Sequence, residues 1–179
     1  GDIARVRSVA SVFLSRWDSL IDKQLDEIGT PEALALRGKA GVALARQAYQ
    51  RYLARFHGEG FAPLAAQGAR PQSMLWASTG TKNPAYPDLM YVEPLIGPET
   101  VNTLPEATLR AFADHGELGA MAPIDGGDAD AVLHQFQAAG IDLAALASKL
   151  QDDGAASFVK SWHELLGQLA DKSMAVRAG

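Results

Sequence analysis

Along the first half of the chain the apolar positions switch between two spacings. Val9-Ala10-Ser11-Val12-Phe13-Leu14 is a short run rich in β-branched and aromatic side chains, which predicts a buried strand. Period two puts Val9, Ser11 and Phe13 on one face and Ala10, Val12 and Leu14 on the other. Leu20, Ile21, Leu25 and Ile28 then recur at helical spacing, and Gly29 stops that helix. Thr30-Pro31-Glu32 supplies an N-cap, a first-turn proline and an acid beside it. From there to Phe56, the positions Leu34, Val42, Ala45, Tyr49, Tyr52 and Leu53 track one face of a single predicted helix. Gly38 and Gly41 lie on that face, where small residues let another backbone come close.

Residues 57–71 read as a loop punctuated by Gly58, Gly60, Pro63 and Gly68. Ser73–Ala77 predicts a second strand, followed by the polar turn Ser78–Pro84. A short helix is expected over Pro87–Ile96, with Pro94 limiting its regularity. Thr100–Leu104 predicts a third strand, and Pro105-Glu106 opens a helix that stops at Gly116. The remainder reads as helical over 130–139, 143–151 and 155–176. Phe158, Trp162, Leu165, Leu166 and Leu169 are the expected buried stripe of the last helix. Strands alternating with helices predict parallel βαβ units, an α/β fold. Three strands are few for this much helix, and the first begins already at Val9. The chain is therefore expected to be one partial domain over 1–179, with strand–helix units in 1–116 and a helical tail in 117–179.

With 179 residues, 47% apolar and 21% charged, the chain can bury about two thirds of its unfolded surface in one domain. Its net charge of −5 gives no basic stripe of the kind that sequence-independent nucleic-acid binding uses. The absence of cysteine excludes a disulfide framework, a thiolate zinc site and a cysteine nucleophile. No apolar run approaches the ~20 residues that span a bilayer, and no signal-peptide profile opens the chain. The expectation is a cytoplasmic protein with neither a membrane nor a nucleic-acid partner.

Polar residues gather where the predicted strands end, the end at which parallel α/β folds place ligands. The first strand carries Ser11 among apolar neighbours, with Arg16 just beyond. The second runs into Ser78-Thr79-Gly80-Thr81-Lys82-Asn83, and the third ends in Asn102-Thr103. A guanidinium at 16, an ammonium at 82 and hydroxyls at 78, 79 and 81 suit a phosphate, at about 1.5–3 kcal/mol per charge-assisted hydrogen bond. Ordinary structural accounts stand beside this one. A strand serine is usually satisfied locally, and Arg16 can pair with Asp18 or Asp22. The 78–83 stretch lacks the Gly-x4-Gly-Lys-Ser/Thr order of a nucleotide-binding loop, as does Gly38-Lys39-Ala40. His57, His115, His134 and His163 show no metal-ligand spacing. Asp125–Asp130 has Phe136 where a calcium loop needs Glu, and reads as a turn with a helix N-cap.

Several stretches together closely resemble the transaldolase family. They are Ser8–Arg16, Leu36-Arg37-Gly38-Lys39-Ala40, Arg70-Pro71-Gln72 with Leu75–Tyr86, Tyr91-Val92-Glu93, and Gly97–Thr108. The resemblance is nearly continuous to about residue 116 and weaker beyond, and it is strongest to the longer bacterial members. Some of those are fused to a glucose-6-phosphate isomerase. It implies a (β/α)8 TIM barrel that transfers a dihydroxyacetone unit between sugar phosphates through a lysine Schiff base, with no cofactor and no metal. By the resemblance Ser11 faces the Schiff-base carbons, Phe13 lines the same pocket, and Arg16 and Ser78 bind phosphate. The family's usual short loop has an arginine after that serine. Here the loop is longer and Lys82 is the candidate for the charge, a point charge in place of a bidentate fork.

The Schiff-base lysine itself has no counterpart here. Such a lysine needs a dry, strand-borne position so that its amine is free to attack. Of the six lysines (23, 39, 82, 149, 160 and 172), five fall on predicted helices and Lys82 on a loop. The resemblance places the family's lysine, in an Asn-Val-Lys-Ile-Pro-like strand, before residue 1. The chain is thus expected to be the C-terminal portion of the barrel, inactive without the N-terminal half, on the same or a separate chain. Two other readings remain at this point: a non-enzymatic interaction or scaffold module, and another Schiff-base barrel aldolase on the same scaffold.

Overall fold

The computed structural model describes residues 1–178, which fall into two compact units, 1–141 and the residues from 142 onward. The first unit is built on a three-stranded parallel sheet in the order β1 (Val9–Phe13), β2 (Ser73–Ala77), β3 (Thr100–Asn102). Val9 pairs with Ser73 and Phe13 with Ala77, while Met74 pairs with Thr100 and Trp76 with Asn102. Parallel neighbours need crossover connections, and helices supply them. These are α1 (Leu14–Ile28), α2 (Pro31–Leu34), α3 (Ala40–Phe56) and α4 (Ala62–Ala65) between β1 and β2. Beyond β3 come α5 (Glu106–His115) and α6 (Ala129–Ala138).

Local chemistry sets several boundaries where the sequence places them. Gly29 closes α1 at φ +70°, its N–H bonded to the Leu25 carbonyl at 2.9 Å. Thr30 caps α2, its Oγ1 accepting from the Ala33 N–H at 3.2 Å. Asp128 stands at the N-cap of α6, but its carboxylate takes Arg46 of α3 at 2.9 Å instead of a backbone N–H. Met74 and Trp76 pack on the covered face of the sheet with Leu14, Tyr49, Tyr91 and Leu95, and Ala10 and Val12 pack against that cluster. Each large side chain buried there contributes about 1.5–3 kcal/mol. The Trp76 indole donates to the Leu95 carbonyl at 3.1 Å, which satisfies its one polar group.

Other boundaries depart from expectation. The helix predicted through 31–56 is two: α2 ends at Leu34, turns follow over 35–38, and Gly38 at φ +70° redirects the chain before α3 begins at Ala40. Leu14 belongs to α1 rather than to the strand, so β1 hands the chain straight into a helix. The expected loop 57–71 contains the one-turn helix α4. The expected helix over Pro87–Ile96 is a series of i−3 turns, with only Glu93–Leu95 a 3-10 turn. Two prolines remove donors there, and the Tyr91 carbonyl is taken by Asn102 at 3.1 Å. The third strand is shorter than expected, since the residue before Pro105 turns out of it, although Thr103 still bonds the Trp76 carbonyl at 2.9 Å.

The second unit is a single helix, α7 (Leu143–Ala178), opened by Asp142, whose carboxylate accepts from the Ala144 and Ala145 N–H groups. It runs through Gly154 without the expected break, since one glycine costs a helix only about 1 kcal/mol. The Lys149–Asp153 pair at 2.9 Å supports that turn. The stripe expected to be buried is exposed, with Phe158 at 67% and Trp162 at 58% of full accessibility. Helical spacing puts these side chains on one face, but spacing alone supplies no surface to cover it.

The head of α3 is fixed from α1. Asp18 Oδ1 accepts from the N–H groups of Ala40 at 2.8 Å and Gly41 at 3.2 Å, and Oδ2 accepts from the Tyr91 hydroxyl at 2.6 Å. A Cβ on Gly41 would stand 2.7 Å from Asp18 Oδ2 and 3.0 Å from the Leu14 carbonyl oxygen. Gly41→Ala should therefore destabilise the chain by about 1–3 kcal/mol through overpacking. Asp18→Ala strands two amides and a phenol without an acceptor and should cost about 3 kcal/mol. Denaturant unfolding of both variants checks these values. At the other end of the sheet, hydrogen bonds from His57 and then Tyr52 hold the Glu99 carboxyl below its ordinary value of 4.5. A lowered folded-state value gives stability that is present above pH 4.5 and lost as the pH falls through that lower value. Glu99→Gln should flatten this acid limb in a pH series of unfolding free energies.

Candidate functional site

The pleat of β1 separates two environments. Ala10 and Val12 face the helices, while Val9, Ser11 and Phe13 belong to the opposite face with Leu75 and Val101, their neighbours in register. No helix of the first unit covers that face: Val9 is 50% and Val101 44% exposed, and Ser11 is exposed between them. Ser11 therefore presents its hydroxyl on an open, largely apolar wall, whose other strand hydroxyl is that of Ser73 beside Val9.

At the carboxyl end of the strands the chain enters α1 at Phe13 with no side chain capping the helix. Arg16, in the first turn, stacks its guanidinium 4.4 Å from the centre of the Phe13 ring. Such a cation–π contact orients an exposed arginine while leaving its five N–H donors free for a ligand. Ser78 follows β2 at φ +52°, and its carbonyl accepts the Ser15 N–H at 3.1 Å. The next residue, Thr79, is fully buried and donates its hydroxyl to the Thr103 carbonyl at 3.1 Å. Phe13, Arg16 and Ser78 thus lie at the carboxyl end of the sheet, with Ser11 two residues back on the open face of β1.

Lys82 stands apart from that group. It is exposed and lines a groove of about 300 Å³ on the flank of α1, where Ser15 and Tyr86 stand among charges of both signs, Lys23 and Arg37 beside Asp22 and Asp26. The Ser15 hydroxyl, on a residue only 2% exposed, has no hydrogen-bond partner there. All six lysines are exposed, and none lies on a strand.

Four residues organise this region, Asp18, Asp22, Tyr86 and Tyr91, of which the sequence offered only the two acids, as ion-pair partners for Arg16. Neither aspartate pairs with Arg16. Asp18 is buried, and Asp22 Oδ1 accepts from the Gly38 N–H at 2.9 Å while its Oδ2 accepts from the Tyr86 hydroxyl at 2.5 Å. Burial raises the Asp18 carboxyl above its ordinary value, against the lowering effect of the Tyr91 hydroxyl and the two amides. Burial, and then the hydrogen bond to Asp22, pushes the Tyr86 phenol up to about 12. Burial and the neighbouring Asp18 charge raise Tyr91 as well, so both phenols stay protonated as donors. The signal was the spacing: Asp18 and Asp22 are four apart and fall among Leu14, Ile21 and Leu25 on the buried side of α1.

Among the described residues no group of three His, Asp or Glu side chains is placed to hold a metal ion, and no helix is long and apolar enough to cross a membrane. What the residues present can do is hold an anion. A helix N-terminus without a side-chain cap, a guanidinium stacked on an aromatic ring and a set of hydroxyls all favour negative charge.

Comparison with known proteins identifies the family. The family model described as Transaldolase/Fructose-6-phosphate aldolase matches residues 3–169. A transaldolase of Thiobacillus denitrificans is 54% identical over 168 residues, covering 94% of this chain and 47% of that protein. Transaldolases of Mycolicibacterium smegmatis and Frankia alni are 51% and 48% identical, over 92% and 96% of this chain and 45% and 46% of their own lengths. The chain spans about half the length of the curated relatives it matches. The family's fold is a (β/α)8 barrel, and the three parallel strands with their helices are a portion of it, consistent with the C-terminal one. With the family model spanning most of its length and relatives at about half identity, the chain belongs to the transaldolase/fructose-6-phosphate aldolase family.

Proposed function

We propose that this chain is the phosphate-binding side of a cytoplasmic transaldolase, completed by an N-terminal half that carries the reactive lysine. The reaction moves a dihydroxyacetone unit from sedoheptulose 7-phosphate to glyceraldehyde 3-phosphate, giving erythrose 4-phosphate and fructose 6-phosphate. The observation that carries this reading is the open apolar face of the sheet. There Ser11 and Phe13 stand beside the uncapped head of α1 and the stacked Arg16. A wall of that kind suits the inside of a barrel whose remaining strands come from elsewhere.

In this scheme the lysine amine attacks the donor ketone and water leaves, forming the Schiff base. The iminium then takes up the electron pair of the C3–C4 bond as that bond breaks, a general base of the completed barrel accepts the C4 hydroxyl proton, and the aldose phosphate leaves. The enamine that remains adds to the acceptor aldehyde, whose oxygen takes the proton back, and water then frees the product from the lysine. Ser11 holds a hydroxyl against the carbons that remain, and Phe13 keeps water from them. Arg16 and Ser78 bind the phosphate and so fix the distance from that group to the reacting carbons, and Lys82 extends a further positive charge toward it from the flanking groove.

The lysine assignment is checked by borohydride reduction in the presence of fructose 6-phosphate. The 179-residue chain alone should trap no adduct, whereas the completed barrel should trap one on a lysine outside it; an adduct on any of the six lysines here would sink the assignment. Arg16→Ala and Lys82→Ala in the completed barrel should each raise KM for phosphorylated substrates about tenfold or more. Equal losses with free dihydroxyacetone would count against the phosphate role. Ser11→Ala should lower kcat more than it raises KM, and an unchanged kcat removes Ser11 from the chemistry.

A further inference from the structure

The segment that carries Lys82 is held at both ends but not at the lysine. At its start, the Ser78 carbonyl takes the Ser15 N–H and Thr79 bonds across to Thr103. Within it, Thr81 Oγ1 donates to the Pro87 carbonyl at 3.0 Å, and Asn83 turns the chain by accepting from the Ala85 N–H at 3.0 Å. At its far end Tyr86 reaches α1, where its hydroxyl donates to Asp22 Oδ2 at 2.5 Å. Asp22 is itself fixed, since its other oxygen accepts the Gly38 N–H. Gly38 leaves room for the ring: a Cβ at that position would stand 2.9 Å from Tyr86 Cζ. Between these anchors Lys82 lies exposed along the groove beside the unpartnered Ser15 hydroxyl.

A lysine is a flexible point charge, so its affinity for an anion depends on where the backbone delivers it. We infer that Tyr86 and Asp22 form a positioning pair, whose hydrogen bond sets where the Ser78–Asn83 segment presents the Lys82 ammonium to a phosphate group. The pair touches no substrate and acts through Lys82. The inference rests on the reading of Lys82 as a phosphate ligand and adds to it the residues that make that lysine effective.

A double-mutant cycle on the completed barrel separates the two. Inorganic phosphate is the probe, titrated against wild type, Tyr86→Phe, Lys82→Ala and the double variant, with thermal melting of each. Tyr86→Phe keeps the ring on Gly38 and removes only the hydroxyl. It should weaken phosphate about fivefold to tenfold, while Lys82→Ala weakens it at least tenfold. The double variant should bind no more weakly than Lys82→Ala alone, because a positioning effect has nothing left to act on. For fructose 6-phosphate, Tyr86→Phe should raise KM and leave kcat in place, a split that general loosening of the fold would not produce. An effect of Tyr86→Phe that multiplies with that of Lys82→Ala overturns the inference, as does unchanged phosphate affinity in Tyr86→Phe beside a weakened Lys82→Ala. If Lys82→Ala itself leaves phosphate binding unchanged, the phosphate role of Lys82 fails and the positioning role with it. Should Tyr86→Phe not fold, Asp22→Asn keeps an acceptor for Gly38 while replacing the oxygen that takes the phenol. It is expected to show the same dependence on Lys82, and independence from Lys82 would equally overturn the pairing.

Discussion

A carboxylate removed from water must be given donors, and Asp18 receives three: two amides at the head of α3 and the hydroxyl of Tyr91. That requirement explains much of the first unit. The negative charge stands at the positive end of α3, where it offsets the helix dipole and occupies N–H groups that the helix cannot satisfy itself. It also spares Lys39, at the N-cap, from supplying a cap, which its side chain cannot do. Because the acceptor comes from α1, the same contact fixes how α1 and α3 cross. Gly41 is the consequence at the crossing, since a side chain there would meet the carboxylate and the α1 backbone together.

From that crossing the segment after β2 takes its course. Tyr91 ends at Asp18 and Tyr86 at Asp22, so the two acids of one α1 face receive two phenols from one irregular stretch. Irregular backbone between them has to find partners outside any ladder. It finds them in Asn102, which takes the Tyr91 carbonyl, and in the i−3 turns around Pro87 and Pro94. The covered face of the sheet is thereby closed over Trp76 and Met74. The opposite face, with Ser11 and Val101, receives nothing from the first unit. A parallel sheet is ordinarily covered on both sides, and its edge strands β1 and β3 each have a free ladder. Both features are those of a barrel segment.

The elements that were legible in the sequence are those decided within a few residues. The β-branched run at Val9–Phe13, the cap at Thr30 and the stop at Gly29 each carry their cause locally, and the structure keeps all three. The break at Gly38 was not legible. Its backbone turns where the Tyr86 ring and the Asp22 carboxylate require it, partners 48 and 16 residues away in the chain. The apolar stripe of α7 shows the opposite error, since periodicity tells which face is apolar and not whether anything covers it. In the candidate site, the place of Ser11 on one strand face and of Arg16 just beyond the strand was legible from alternation and proximity in sequence, whereas Phe13 entered through the family resemblance. Proximity in sequence offers Asp18 or Asp22 as an ion-pair partner for Arg16, but acids on the apolar side of a helix signal buried acceptors.

The two candidate cations, Arg16 and Lys82, differ in how they are held, and this bears on what each can do. Arg16 is oriented by its own neighbour, because the Phe13 ring lies under the guanidinium one helical turn from the strand end. Its planar fork is therefore preorganised by residues within the same short stretch, and little entropy is lost when it takes a bidentate ligand. Lys82 has no such platform. Four rotatable bonds separate its charge from a backbone that is itself irregular, so its placement depends on the anchors at Ser78, Thr81 and Tyr86. A longer loop with a lysine can serve where a shorter one carries an arginine only if the added length is tied down. The hydrogen bond from Tyr86 to Asp22 is the tie furthest along that segment. It reaches the same helix face that carries Asp18, so the site and the core share one support.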